Sequence, residues 1–143
     1  MNRVLLVLAA AFSIIACAPA QDATVVAPRN YKIEFENELV RVVRVTYAPH
    51  EKTELHQHQG NATVIVVLQG GGRMHQVNED GSVTEGNTEK AGAVRFVPAR
   101  SAFKHASENV SDAPIETIRV ELKAPPPCAQ HAPAQPVKKA SDR

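Results

Sequence analysis

Six histidines punctuate the 143 residues: His50, His56, His58, His75, His105 and His131. His56 and His58 are one residue apart in the strand-like run ELHQH. A strand alternates its side chains, so both rings project from one face, spaced to share a metal ion. A third nitrogen from another strand would complete a facial set and leave positions open for a substrate. If the strands close a barrel, His105, within FKHASEN, can supply it. The expected centre is one divalent transition metal (Fe, Mn, Ni, Zn or Cu), because a three-imidazole site accepts all of these. The competing reading of the pair alone is two surface histidines on an edge strand.

The other polar residues have plainer readings. His50 follows the Pro49 turn and is expected in solvent. His75, in RMHQV, lies on a strand that could border the cavity, with its face undetermined. Arg100 and Lys104 flank His105 and could draw an anion to the mouth of the site, or simply keep a charged loop soluble. Asn109, followed by Ser111 and Asp112, is expected to shape a turn. Glu54, two residues before His56, could accept a hydrogen bond from an imidazole N–H. Cys128 and His131 are three residues apart near the C-terminus and read as inert.

These side chains must be carried by strands. From Tyr31 onward, short runs rich in Val, Ile and Thr are broken by turn residues every eight to twelve positions: YKIEF, LVRVVRVTY, ELHQH, TVIVVL, RMHQV, AVRFV and IETIRVELK. Asn78-Glu79-Asp80-Gly81 is a hairpin turn by composition. In the last run Ile118, Val120 and Leu122 share one face, and Thr117, Arg119, Glu121 and Lys123 the other. No window shows a helical apolar stripe. The expected fold is all-β, a small antiparallel barrel or two-sheet sandwich, over residues 31–123.

Both ends differ from this middle. Met1-Asn2-Arg3 opens a run with no further charge until Asp22, the pattern of a secretory signal over residues 1–20. Ala18-Pro19-Ala20 fits a cleavage site before Gln21. Ile14-Ile15-Ala16-Cys17 also fits a lipobox, in which Cys17 would be lipidated and attach the chain to a membrane. A retained anchor is the third alternative. Residues 21–30 are expected to be a linker, and 124–143, with five of the ten prolines, a flexible tail. The expected location is the periplasm or the cell envelope. Either processing route leaves Cys128 without an intrachain partner, so stability must come from packing or a metal. The whole chain has 16 Lys+Arg against 15 Asp+Glu, a formal net charge of +1, and no Trp. That balance argues against nucleic acid, whose phosphates call for a basic face.

The spacing of the histidines with particular glycines and prolines resembles the cupin motifs. The first is usually written G-x5-H-x-H-x3,4-E-x6-G, and His56, His58 and Gly70 fall at its positions. The second is G-x5-P-x-G-x2-H-x3-N, and Gly92, Pro98, His105 and Asn109 match it, with two extra residues between Pro98 and His105. The chain is therefore similar to small single-domain bacterial cupins, which implies a double-sheet jelly roll with His56, His58 and His105 as ligands. It departs from the pattern in three places. His50 and Arg100 stand where glycines are usual, and Thr63 (or Ala62, at the shorter spacing) stands where the glutamate ligand is usual.

Without that glutamate, three neutral imidazoles leave a divalent ion its full +2 charge. Such a centre favours an anionic ligand and acidifies bound water. The expected function is an exported metal-binding cupin acting on a small anionic molecule as a dioxygenase, lyase or isomerase. The alternatives are a non-catalytic periplasmic module that captures a ligand or metal, and a cupin that has lost its metal. No residue stands out as a general base, and the cavity walls are expected to be mostly Val, Ile and Thr. Edge strands of such a barrel could also pair into a homodimer.

Overall fold

The computed structural model describes residues 21–124. Nine strands follow one short helix, α1 (Ala23–Val26): β1 (Tyr31–Glu36), β2 (Val40–Tyr47), β3 (His56–His58), β4 (Thr63–Gln69), β5 (Arg73–Asn78), β6 (Val83–Asn87), β7 (Val94–Val97), β8 (Phe103–Asn109) and β9 (Ile115–Leu122). They form a five-stranded sheet in the order β1-β2-β9-β4-β7 and a four-stranded sheet in the order β3-β8-β5-β6. All of the strand pairings are antiparallel. The all-β expectation holds, and the sequence-level turn at Asn78–Gly81 is the β5–β6 hairpin, with the Gly81 N–H donating to Asn78 O at 2.9 Å.

The linker expected over 21–30 is instead part of the folded body. Asp22 caps α1 by accepting from Thr24 N at 2.9 Å. Ala23 and Ala27 are buried against Tyr31, Val43, Val45, Tyr47 and Ile115, which form the apolar core. Gln57 N donates to Gln21 O, and Asn30 exchanges hydrogen bonds with Thr46 through both its backbone and its side chain. The segment has few large apolar residues, and two small alanines suffice because the helix fits closely over the core. The expectations for residues 1–20, including Cys17, and for the tail from Pro125, including Cys128 and His131, lie outside the described residues.

The interior is unusual in its polarity. Register places Arg41, Val43, Val45 and Tyr47 of β2 opposite Glu121, Arg119, Thr117 and Ile115 of β9, all on the inner face. The apolar alternation Ile118, Val120, Leu122 therefore faces outward. In one outer row stand Phe35, Val42, Val120, Val64 and Phe96, one from each strand across the sheet. Phe96 and Val94 on the edge strand β7 are 60% and 66% exposed.

Motif positions have backbone reasons. A Cβ at Gly70 would lie 2.0 Å from Glu89 O, so this residue must lack one. His50, where a glycine is usual, adopts φ 59°, the left-handed region that glycine favours. Its ring meets the Asp112 carboxylate at 2.8 Å, in solvent as expected.

Asn109 does more than shape a turn. It is fully buried, its Nδ2 donates to Ala48 O (3.0 Å) and Ala113 O (2.8 Å), and its Oδ1 accepts from Ser111 N (3.1 Å) and Ser111 Oγ (2.6 Å). It thereby ties the loop after β2 to the loop between β8 and β9. Asn109→Ala leaves these groups unpaired, and we expect it to cost about 2–4 kcal/mol in denaturant unfolding.

Candidate metal centre

β3 is only three residues long, and its burial alternates: His56 and His58 inside, Gln57 between them. β8 runs antiparallel beside it, with His105 opposite His56 and Phe103 opposite His58. Because paired residues share a face, all three imidazoles meet inside the barrel. Their ring centroids are 5.0–5.1 Å apart in pairs, and their potential ligand atoms all lie within 4.8 Å of one another. An ion bonded at ~2.1 Å spans at most ~4.2 Å between two nitrogens, so small ring rotations close the set.

The rings are held from outside the cluster. His56 Nδ1 lies 2.8 Å from Glu54 O. A carbonyl only accepts, so Nδ1 carries the proton and Nε2 presents its lone pair to the cavity. Glu54 thus serves this ring through its backbone; its side chain is exposed, and the carboxylate role expected for it is not the one it plays. Tyr31 packs edge-on against His56 at 4.9 Å, and Phe103 stacks on His58 at 5.2 Å. Tyr31 is itself fixed by a 2.6 Å hydrogen bond to Tyr47.

The Nε2 atoms of His56, His58 and His105 are all buried without a hydrogen-bond partner among the described residues. Burial lowers the pKa of each ring. For His58 the Arg119 guanidinium adds to the effect; for His105 the neighbouring His56 and Arg119 do, bringing it to about 3. Three buried, neutral, unpaired imidazoles are the donor set a divalent ion needs, so the residues present fit a metal.

The usual carboxylate is missing, as the motif comparison implies. Thr63 faces the cavity, but its hydroxyl donates to Asn61 O at 2.9 Å. Its neighbour on β9 is Glu121, whose Oε2 is engaged by Arg41 at 2.7 Å, with Asp22 on the far side of that guanidinium at 3.0 Å.

The cavity beside the histidines has a volume of about 350 Å³ and is lined by His58, His105, Thr63, Arg100, Arg119 and Glu121, among others. Its walls are thus more polar than the Val, Ile and Thr expected. Arg100 reaches the mouth with its guanidinium 3.5 Å above the Phe103 ring. Lys104 does not join it; Gln57 and Lys104 face outward, and Lys104 pairs with Glu79 at 2.6 Å. His75 also stays outside, meeting Glu85 at 3.1 Å. Tyr31, Arg119 and Glu121 escaped sequence reasoning, although the alternation in IETIRVELK carries the signal for the last two.

No family model matches the chain, and no curated protein matches it. Among solved structures it is similar to a cupin domain from Bordetella pertussis Tohama I, with TM-score 0.54 and 22% identity over 66% of this chain and 92% of that one. The fold is a cupin jelly roll. Further similar structures include a Klebsiella pneumoniae protein with a double-stranded β-helix domain (TM-score 0.46, 20% identity, 64% of this chain and 70% of that one). Another is Bacillus subtilis oxalate decarboxylase, a protein with Mn(II) centres (TM-score 0.43, 27% identity, 60% of this chain and 22% of that one). In this fold the three histidines come from the positions that the two motifs mark.

A pH dependence follows. In the unfolded chain His58 and His105 take up a proton near 6.5, whereas in the folded chain they do so only at much lower pH. The folded state therefore binds fewer protons below pH 6.5, and acid favours unfolding. The metal-free protein should lose up to ~1.4 kcal/mol per pH unit for each of these two histidines between about pH 6.5 and 4. Urea unfolding across that range measures it; a pH-independent midpoint would contradict the buried neutral cluster.

Proposed function

We propose that this chain is an exported metal-binding cupin whose single divalent ion, held by His56, His58 and His105, acts on a small anionic molecule. The observation that carries this reading is the set of three buried Nε2 atoms without partners. When bound, the ion would polarise an anionic ligand or acidify a bound water. The protein's part is to hold each ring neutral and oriented: Glu54 O fixes the proton on His56 Nδ1, while Tyr31 and Phe103 limit ring rotation. Fe, Mn, Ni, Zn and Cu all suit three imidazoles. A dioxygenation, lyase step or isomerisation is the reaction class for such a centre.

A second reading, a non-catalytic module that captures a ligand or metal, is favoured by one feature. Glu121, the one carboxylate lining the histidine cavity among the described residues, has its Oε2 held by both Nε and Nη2 of Arg41, which ties it to the cavity wall. Residues 1–20 would direct either version to the periplasm or, through Cys17, to the envelope. The test is metal analysis of protein purified from the exported fraction beside the His56→Ala/His58→Ala double variant. About one equivalent in the wild type and a loss of at least tenfold in the variant is expected; equally negligible metal in both defeats the metal reading. Turnover of small acids or thiols by the loaded protein then separates enzyme from module.

We also infer a homodimer through the outer face of the five-stranded sheet. With strands ~4.8 Å apart, its five strands and the eight-residue β9 span roughly 20 by 25 Å. That footprint is about 500 Å², below the ~800 Å² per partner of a standard interface and in the range of a small, weak one. The charges on this face, Lys32, Glu34, Arg44 and Glu116, balance, and Arg44 pairs with both glutamates, so two like faces do not repel. Sedimentation should give a dimer for the wild type and a monomer for Val94→Glu/Phe96→Glu; a monomeric wild type overturns the inference.

A further inference from the structure

The interior holds one charge that the three-histidine centre does not account for. Arg119 sits midway along β9, on the inner face, between Val43 of β2 and Ile65 of β4. Both strand neighbours are apolar and offer it nothing. Its Nε is buried without a hydrogen-bond partner, and no carboxylate among the described residues pairs with its guanidinium. The carboxylate two residues along the same face, Glu121, is taken by Arg41 through Nε and Nη2, at 2.8 and 2.7 Å. The Arg119 guanidinium rests 5.8 Å from the Tyr31 ring centroid, which orients it without neutralising it.

Arg119 is half-buried, with its Nε shut off from solvent and the cavities it lines left as the place where the rest of the guanidinium can meet an anion. Arg119 lines the cavity beside the histidines and also an adjoining cavity of about 250 Å³ bounded by Met74, Gln76 and Thr117. It therefore stands where the two spaces meet, with a planar fork of donors suited to a carboxylate.

We propose that Arg119 is the anion-recognition residue of this cavity, binding the carboxylate of a small organic acid whose other end reaches the three-histidine centre. The second half of the statement rests on the metal reading above; the first does not. The size fits: about 350 Å³ is the share of roughly a dozen waters, enough for an acid of about ten heavy atoms. The ligand class narrows accordingly from any anion to an acid with two polar ends, a carboxylate for Arg119 and a second donor for the ion. Arg119 thereby supplies the register that a bare ion in an open facial site would not.

The experiment uses malonate as the probe and its uncharged analogue malonamide as the control, titrated by calorimetry into the full chain with and without bound Zn(II). Malonate should bind the wild type, malonamide should not, and Arg119→Gln should weaken malonate at least tenfold. Arg119→Lys, which keeps the charge and loses the fork, should fall between. Without any anion, Arg119→Gln should unfold at the same or a higher temperature than the wild type, because the substitution removes an unmatched charge. Equal malonate affinity for wild type and Arg119→Gln, equal binding of malonamide, or a lower unfolding temperature for Arg119→Gln would each overturn the proposal. Arg119-dependent malonate binding in a protein that takes up no zinc would defeat the metal reading and leave this one standing. Zinc uptake with malonate binding indifferent to Arg119 would do the reverse.

Discussion

Three imidazoles converge in a space where no described residue donates a hydrogen bond to any Nε2, and the rest of the molecule is arranged around that constraint. Burying an acceptor without a partner is unfavourable, and doing so three times within 4.8 Å compounds the cost. Protonation is no remedy, because the cations would be desolvated, would repel one another and would face Arg119. The rings are nevertheless held in place: His56 by Glu54 O, and the others by Phe103 and the packing between β3 and β8. A structure that spends stability to keep unshared lone pairs aligned is prepared for a Lewis acid.

Keeping that space open reshapes the packing. A sandwich ordinarily fills its interior with the apolar face of each strand. Here the inner face of β9 carries Thr117, Arg119 and Glu121, and the apolar core retreats to one end, around Tyr31, Tyr47, Val43, Val45 and Ile115. α1 closes that end with Ala23 and Ala27. The Asp22–Arg41–Glu121 chain then joins the cap of this helix to the wall of the cavity. Asn109 ties the loops beyond the core through its buried amide. The displaced apolar residues appear on the outside, as the row from Phe35 to Phe96.

The sequence made a good part of this legible. Strand alternation puts the HxH pair on one face, and the resemblance to the cupin motifs, carried by Gly70, Gly92, Pro98 and His105, adds His105 to the centre. Thr63 correctly signals a site without the usual carboxylate. Other features were hidden for identifiable reasons. Residues 21–30 lack periodicity, yet pack because two alanines fit beneath the sheet edge. Glu54 contributes through a carbonyl, which is invisible in a side-chain alphabet. His75 and Lys104 lie on the correct strands but point outward, since one residue of register reverses a face.

What the chain alone determined was the all-β class and the histidine pair on one strand face, since each is a matter of local residue type and periodicity. The absence of a carboxylate at position 63 has meaning only through the resemblance to the cupin motif. Which face of β9 is buried was decided only by the tertiary structure. Alternation says that Ile118 and Arg119 face opposite ways, but not which way is in. That choice depends on long-range pairing of β9 between β2 and β4, and on a cavity that admits charge. It is the reason Arg119 faces the histidines while Val120 faces out.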